Sequence, residues 1–465
     1  MKYSNTCIAG FMLPLIILSL QISARTINEE QALNVANNWI AQIIHEDGDW
    51  GGSQTAVVQE IQQFKYEHHT LGYYCHVSPR GNIIISLHKQ FAPIMAYSET
   101  SDLDPESDMQ MTGLIKRNRL RSLNQLEKQQ ISPSTNVETS WFALSQDTET
   151  FTADLETLGS ATYTPNTHLL TSMWHQGYPY NILCPEGDTC NHCPVGCVAL
   201  AGAQIMRYWA WPPTGIHWPS MPDDFSSGMD PSTVAFLCLA VGTWAGVDYS
   251  CNSSDAWCGD KPGKDMVDAF EEHFQYSTDA YFDLRLNNPG DLWYDIIKSN
   301  INQNRPLQYC TCEYDFPGVA GHSLVLDGWR ETAGIFMGHM NDGDCEWYDM
   351  TDRPGAEGMI KDIKPNVSLG PAVFGTYIKM PFPYRYFDQD CLGVADFYEG
   401  QQIQFLPSVR VISTGLIQFF GTATENTRLY SLKGTSDGMT VGEITIKQGM
   451  IKLHSLGTIR FHSKK

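Results

Sequence analysis

Cys197, His322, Asn341 and Gln176 are the side chains of this 465-residue chain whose types and order suit nucleophilic attack on a carbonyl. A thiolate attacks where a thiol does not, so a working cysteine needs a site that favours the anion and a base beside it. Cys197 opens the run Gly196–Cys197–Val198–Ala199–Leu200–Ala201–Gly202–Ala203–Gln204–Ile205–Met206–Arg207–Tyr208. Small residues after the cysteine predict a closely packed, buried helix, and Pro212–Pro213 must end it. Cys197 then sits at the helix N-terminus, where unpaired N–H groups and the macrodipole favour a thiolate. His322 opens an apolar strand, Ser323–Leu324–Val325–Leu326, that closes at Asp327–Gly328. A strand start mounts an imidazole rigidly for acid/base work. In Gly338–His339–Met340–Asn341–Asp342–Gly343–Asp344, the Asn341 amide can fix the tautomer of that ring. Upstream, Trp174–His175–Gln176–Gly177–Tyr178–Pro179–Tyr180–Asn181 supplies Gln176 as a donor to an oxyanion, worth about 3 kcal/mol of barrier. Each residue alone has a bland reading: a disulfide cysteine, a satisfied core histidine, a surface glutamine. The weight lies in their combination.

The elements that must position these residues follow from pattern and composition. With 42% apolar and 18% charged residues, the chain is globular and can fill more than one core. Thirty basic against 52 acidic residues give a net charge of -22, which repels phosphate backbones and argues against a nucleic-acid partner. Lys2, the apolar run Cys7–Leu20 and Ser23–Ala24 have the form of a secretory signal over residues 1–24, so a secreted, cell-surface or periplasmic protein is expected, with no membrane span in its mature form. Asn28 and Gln31 form a capping-box pattern ahead of a helix whose apolar face is Ala32, Val35, Ala36, Trp39, Ile40 and Ile43. Strands are expected at Tyr73–Ser78, Ile83–Leu87 and Phe91–Tyr97, giving a small α+β unit within residues 25–130. A polar stretch, 131–168, reads as a linker exposed to proteolytic processing. Residues 169–383 hold the chemistry. From 384 to 465 short alternating strands predict a small all-β domain, among them Gln402–Phe405, Leu416–Phe420 and Ile451–Leu456. Cys184, Cys190, Cys193 and Cys197, with His192 nearby, also have the spacing of a metal or iron–sulfur site, but an exported chain favours disulfides.

Together these segments resemble the streptopain-type cysteine peptidases. The resemblance runs through Trp174, Gln176–Gly177 and Pro179–Tyr180–Asn181, then Gly196–Cys197–Val198–Ala199 and Ala203–Gln204–Ile205–Met206. It continues through Val247–Asp248–Tyr249, Arg305–Pro306–Leu307–Gln308–Tyr309 and Gly321–His322 with Asp327–Gly328. Val77–Ser78–Pro79, Ile84–Ile85–Ser86 and Pro93–Ile94–Met95–Ala96–Tyr97–Ser98 look like that family's prodomain. The order cysteine, histidine, asparagine also follows the papain-type arrangement. The resemblance implies an α+β, papain-like domain of two halves, preceded by the prodomain. It implies Cys197 as nucleophile, His322 as acid/base, Gln176 as oxyanion donor and Asn341 as imidazole orienter. Protein or peptide substrates are implied, the chain's own prodomain acts as intramolecular inhibitor, and no metal or organic cofactor is called for. One departure stands out. Where the family carries tryptophans after the asparagine, this chain has Asp342 and Asp344. These are expected to admit water and to favour a charged imidazole. Trp347 is the residue that would restore the shielding. The rival reading is a weak or inactive relative that binds peptides or inhibits proteases.

Overall fold

The computed structural model describes residues 26–108, 110–129, 134–155, 168–212, 216, 218–225, 230–259, 261–311, 321–343, 345–350 and 357–367, and short strands beyond 400. The signal segment and the strand expected at Gln402–Phe405 lie outside the described residues. In chain order the strands are β1 (Val57–Tyr66), β2 (His69–Ser78), β3 (Asn82–Ser86), β4 (Ile94–Ser98), β5 (Tyr281–Leu284), β6 (Leu307–Thr311), β7 (His322–Thr332), β8 (Ile335–Asn341), β9 (Cys345–Asp349) and β10 (Glu357–Lys361). The chain divides into two compact units. One holds the residues through Leu169 together with Leu284–Gly358, and the other holds Leu170–Asp283 with the residues from Met359.

The first unit starts with the helix Glu29–Asp47. Asn28 and Gln31 cap it reciprocally, at 2.9 and 3.1 Å, so two otherwise orphaned backbone donors are satisfied. Its face of Ala32, Val35, Ala36, Trp39, Ile40 and Ile43 is buried, as the spacing predicts. Antiparallel β1–β2–β3–β4 follow. β1 is largely polar and exposed, with only Phe64 fully buried, so it lacks the alternation that reveals a strand. The sheet does not stop at these four strands. β4 pairs antiparallel with β9 (Ala96↔Tyr348, Tyr97↔Trp347), and the order runs β1-β2-β3-β4-β9-β8-β7-β6. The strand that begins at His322 therefore belongs to the same sheet as the N-terminal region.

Part of the stretch expected to be a polar linker is helical. Thr135–Leu144, N-capped by Ser134, and Thr148–Leu155 send Val137, Trp141, Leu144, Phe151 and Leu155 into the core around Trp39 and Tyr97. Those apolar residues fall at helical spacing inside a polar composition. Trp141 also donates to the Phe91 carbonyl at 2.7 Å. Residues 156–167 lie outside the described residues.

In the second unit the helix Cys197–Trp209 packs on the helix Ser232–Trp244. Gly202 permits this closeness: a Cβ there would meet Met266 at 2.4 Å and Val241 at 3.1 Å. A disulfide joins Cys190 to Cys251. Beyond residue 400, β11 (Ser408–Ile412) pairs with β12 (Leu416–Phe420), and Ile451–Lys452 adds to β12. β12 falls where a strand was expected. Among the described residues, no helix is long and apolar enough to cross a membrane.

Candidate active site

The two groups of site residues lie in different units, and each has its own architecture. Cys197 is the first residue of its helix. Gly196 precedes it at φ +91°, a conformation that favours glycine, and a Cβ there would come within 2.6 Å of the Ser254 carbonyl oxygen. Val198 through Met206 are buried, which fixes the helix in its surroundings and holds its first turn still. Cys197 itself is only half-buried and is not disulfide-bonded.

The Gln176 segment is tied to the residues just before the cysteine. Val195 N donates to the Gln176 carbonyl at 3.0 Å, so backbone pairing brings Gln176 beside the approach to Cys197. Gln204, fully buried in the cysteine helix, anchors the same segment: its Oε1 accepts from Ser172 Oγ at 2.9 Å and faces Trp174 N at 3.5 Å. The other thiols of this unit are of another kind. Burial pushes Cys184 up to about 12 and Cys238 well above the ordinary thiol value. Cys190 is consumed in its disulfide with Cys251, so the cysteine cluster does not offer the thiolate set that a metal or cluster site needs. Among the described residues the sulfurs of Cys190, Cys193 and Cys251 do group together, two of them in that disulfide.

In the other unit His322 opens β7, opposite Thr311 of β6. Thr311 Oγ1 accepts from His322 N at 3.1 Å and donates to the His322 carbonyl at 3.2 Å, which clamps the strand start. His322 Nε2 lies 3.4 Å from Oδ2 of Asp342, with the side chains 11% and 7% exposed. Asp342 thus lies largely enclosed against the imidazole, while Asp344 lies outside the described residues. Asn341 is fully buried at the end of β8 and pairs with Val325, while its Oδ1 accepts from Gly343 N at 3.2 Å. Trp347 packs on Tyr97, at 6.3 Å between ring centroids, and on His339, at 5.1 Å. It is thereby committed to the contact with β4.

Sequence reasoning missed a second imidazole–carboxylate pair. Buried His339 and Asp327 meet at 2.6 Å, and His168 stacks on His339 at 4.4 Å between centroids. Although His168 keeps an exposed edge, desolvation of its ring, with His339 adding to it, lowers it below the ordinary histidine value. The signal lay in the motifs themselves, since Asp327 and His339 are adjacent to the residues singled out, but only strand register brings them together.

Residues 174–217 and 213–350 match the Peptidase C10 family, and residues 24–119 match the Spi protease inhibitor family. The region that carries Cys197 and His322 is the one that matches the Peptidase C10 family. Among relatives, the thiol protease/hemagglutinin PrtT of Porphyromonas gingivalis is 32% identical over 205 residues, covering 39% of this chain and 22% of that protein. Streptopain of Streptococcus pyogenes is 22% identical over 298 residues, covering 55% of this chain and 67% of streptopain. The chain thus spans about a fifth of PrtT and about two-thirds of streptopain. Among solved structures, a fragment of prointerpain A from Prevotella intermedia aligns with a TM-score of 0.44 at 21% identity, covering 66% of this chain and 99% of the fragment. Active interpain A aligns with a TM-score of 0.37 at 24% identity, over 43% and 94%. The C10 region takes in Gln176, Cys197, His322 and Asn341, and the Spi-like region takes in the capped helix and β1–β4.

Proposed function

We propose that this chain is an exported cysteine endopeptidase made in a latent form, with Cys197 and His322 as its working pair. The observation that carries the reading is the half-buried Cys197 at the head of a buried helix, inside the region that matches the C10 family, with the Gln176 segment hydrogen-bonded two residues upstream. The imidazole of His322 takes the proton of the thiol, and the thiolate attacks the substrate carbonyl carbon. The oxyanion of the tetrahedral intermediate is met by the Cys197 backbone N–H and the Gln176 amide. Imidazolium then gives its proton to the leaving amine, the C–N bond breaks, and an acyl-enzyme remains. His322 next removes a proton from water, which attacks the thioester, and the thiol leaves as the acid product forms.

Latency is assigned to the Spi-like region. It is locked to the sheet of the C10 region by the β4–β9 pairing and by a buried ion cluster. Arg330 on β7, with 0% of its side chain exposed, donates to Asp47 at 2.8 Å, to Glu46 at 2.6 Å and to the Tyr97 hydroxyl at 2.9 Å. Processing within 156–167 would separate the two regions, and the amino-terminal signal would direct export.

The test is casein hydrolysis by the processed protein and by its Cys197→Ala variant. Activity in the parent and its loss by more than about a thousandfold in the variant is the expected result. A folded, processed parent with no activity on any peptide or protein would sink the reading and leave a peptide-binding relative in its place.

A further inference from the structure

In this chain the residue that faces the imidazole is not the asparagine of the motif. Asn341 pairs with Val325, and side chains alternate faces along a strand. Val325 lies three positions from His322 with no break in pairing between them, so Asn341 shares its face with Val325 and Gln308. His322 shares its face with Leu324 and Leu326. The Asn341 amide is turned to Gly343 N and shapes the turn after β8. That turn delivers the next residue, Asp342, to the ring: Oδ2 stands 3.4 Å from Nε2, and both side chains are nearly buried. The second carboxylate oxygen, Oδ1, is buried with no hydrogen-bond partner among the described residues. A buried carboxylate of this kind is costly unless it serves a cation.

We propose that Asp342 is the positioning residue of His322, in place of Asn341, and that it supplies charge as well as direction. This rests on the peptidase reading above. With Nε2 turned to Asp342, Nδ1 is the ring nitrogen that exchanges a proton with the Cys197 thiol. When the thiol proton passes to Nδ1, the ring becomes imidazolium and its Nε2–H donates to Oδ2; no proton need leave the pair. A separation of 3.4 Å suits an acceptor that tightens once the ring is charged. An amide would orient the ring equally well but would not favour imidazolium, whereas a carboxylate extends the thiolate–imidazolium pair to higher pH. Opposite the ring on β6 stands Thr311, a neutral hydroxyl, so the charge comes from the turn after β8.

The experiment compares the processed parent with Asp342→Asn and Asp342→Ala. It reads kcat and KM on a peptide substrate across pH, and separately the rate of Cys197 alkylation by iodoacetamide across pH. The alanine variant is expected to lose at least about tenfold in kcat with KM little changed. The asparagine variant is expected to recover much of that loss at low pH, while the basic limb of its activity and alkylation profiles moves to lower pH. Parental profiles in both variants would overturn the proposal. So would variants that melt earlier and turn over less while their alkylation profile stays parental, because that pattern marks a purely structural carboxylate. Alkylation needs no turnover. A parent without peptidase activity therefore sinks the functional reading alone, and the coupling of Asp342 to the thiol is still decided.

Discussion

The thiols of the described residues fall into two kinds, and burial separates them. Cys75 and Cys184 are pushed up to about 12, and Cys238 well above the ordinary thiol value, because an apolar surround penalises the thiolate. Cys197 is half-buried at a helix N-terminus. Brief treatment of the folded protein with iodoacetamide, read by peptide mass mapping, should therefore label Cys197 well ahead of these three. Equal labelling in the folded state would show that the helix end confers no advantage. A second residue-scale effect concerns Glu99, which burial, with neighbouring Asp47 adding to it, raises from 4.5 to about 7 while it accepts from Gly51 N. The folded chain thus holds this proton more tightly than the unfolded chain does. The resulting stability is fully present below about 4.5 and is lost as pH rises through about 7, by about 3 kcal/mol at most. Amide-exchange protection of β3 and β4 should fall over that window, and Glu99→Gln should flatten the dependence. An unchanged slope in that variant would place the titration elsewhere. Cys197, His322 and Gln176 stand out in the sequence because each sits in a short local motif. Asp342 was visible as a departure from pattern, but its contact was not, because which residue of a turn meets a ring depends on the face that strand register gives its neighbours.

Elements were legible where one period dominated. The capped helix Glu29–Asp47 and the helix after Cys197 announce themselves by caps, spacing and small residues. β1 escaped notice because glutamines and glutamate fill a strand that is mostly solvated. The helices at Thr135–Leu144 and Thr148–Leu155 were hidden in a polar composition, although Val137, Trp141 and Leu144 keep helical spacing. The element that matters most for chemistry hangs on one glycine. Gly196 holds φ +91° directly before Cys197, and a Cβ would press on the Ser254 carbonyl oxygen at 2.6 Å. Both the conformation and the clash penalise any side chain, so Gly196→Ala should destabilise the C10 region by about 1–3 kcal/mol. It should also lower kcat more than KM, since the helix end and its thiol must shift together. Parental stability and turnover in this variant would show that the loop before the helix relaxes without cost.

At the scale of the whole molecule, composition suggested a small α+β unit ahead of the segment that holds the chemistry, and the family resemblance implied a prodomain followed by a peptidase domain there. The pairing of β4 with β9 adds that the N-terminal region continues the very sheet that carries His322. No local pattern reveals this, because the partners stand about 250 residues apart and either edge alone reads as an ordinary strand. The same holds for the ion cluster. Glu46 and Asp47 end the capped helix and Arg330 lies on β7, yet they meet in the interior across 283 residues from Asp47 to Arg330. A buried guanidinium deprived of its carboxylates costs about 3–5 kcal/mol, whereas exposed ion pairs of the same length count for little. The double variant Glu46→Gln, Asp47→Asn keeps the shapes and removes the charge. In the full-length chain it should loosen the grip of the Spi-like region on β7, raise cleavage by trypsin in residues 25–168, and bring peptidase activity before any processing. Arg330→Met should act more gently on processing, because it removes the cation but leaves the carboxylates free to reach water as the helix end lifts. If the double variant is as latent and as trypsin-resistant as the parent, the sheet pairing alone holds the inhibitor in place, and the cluster serves only to set the register of its docking.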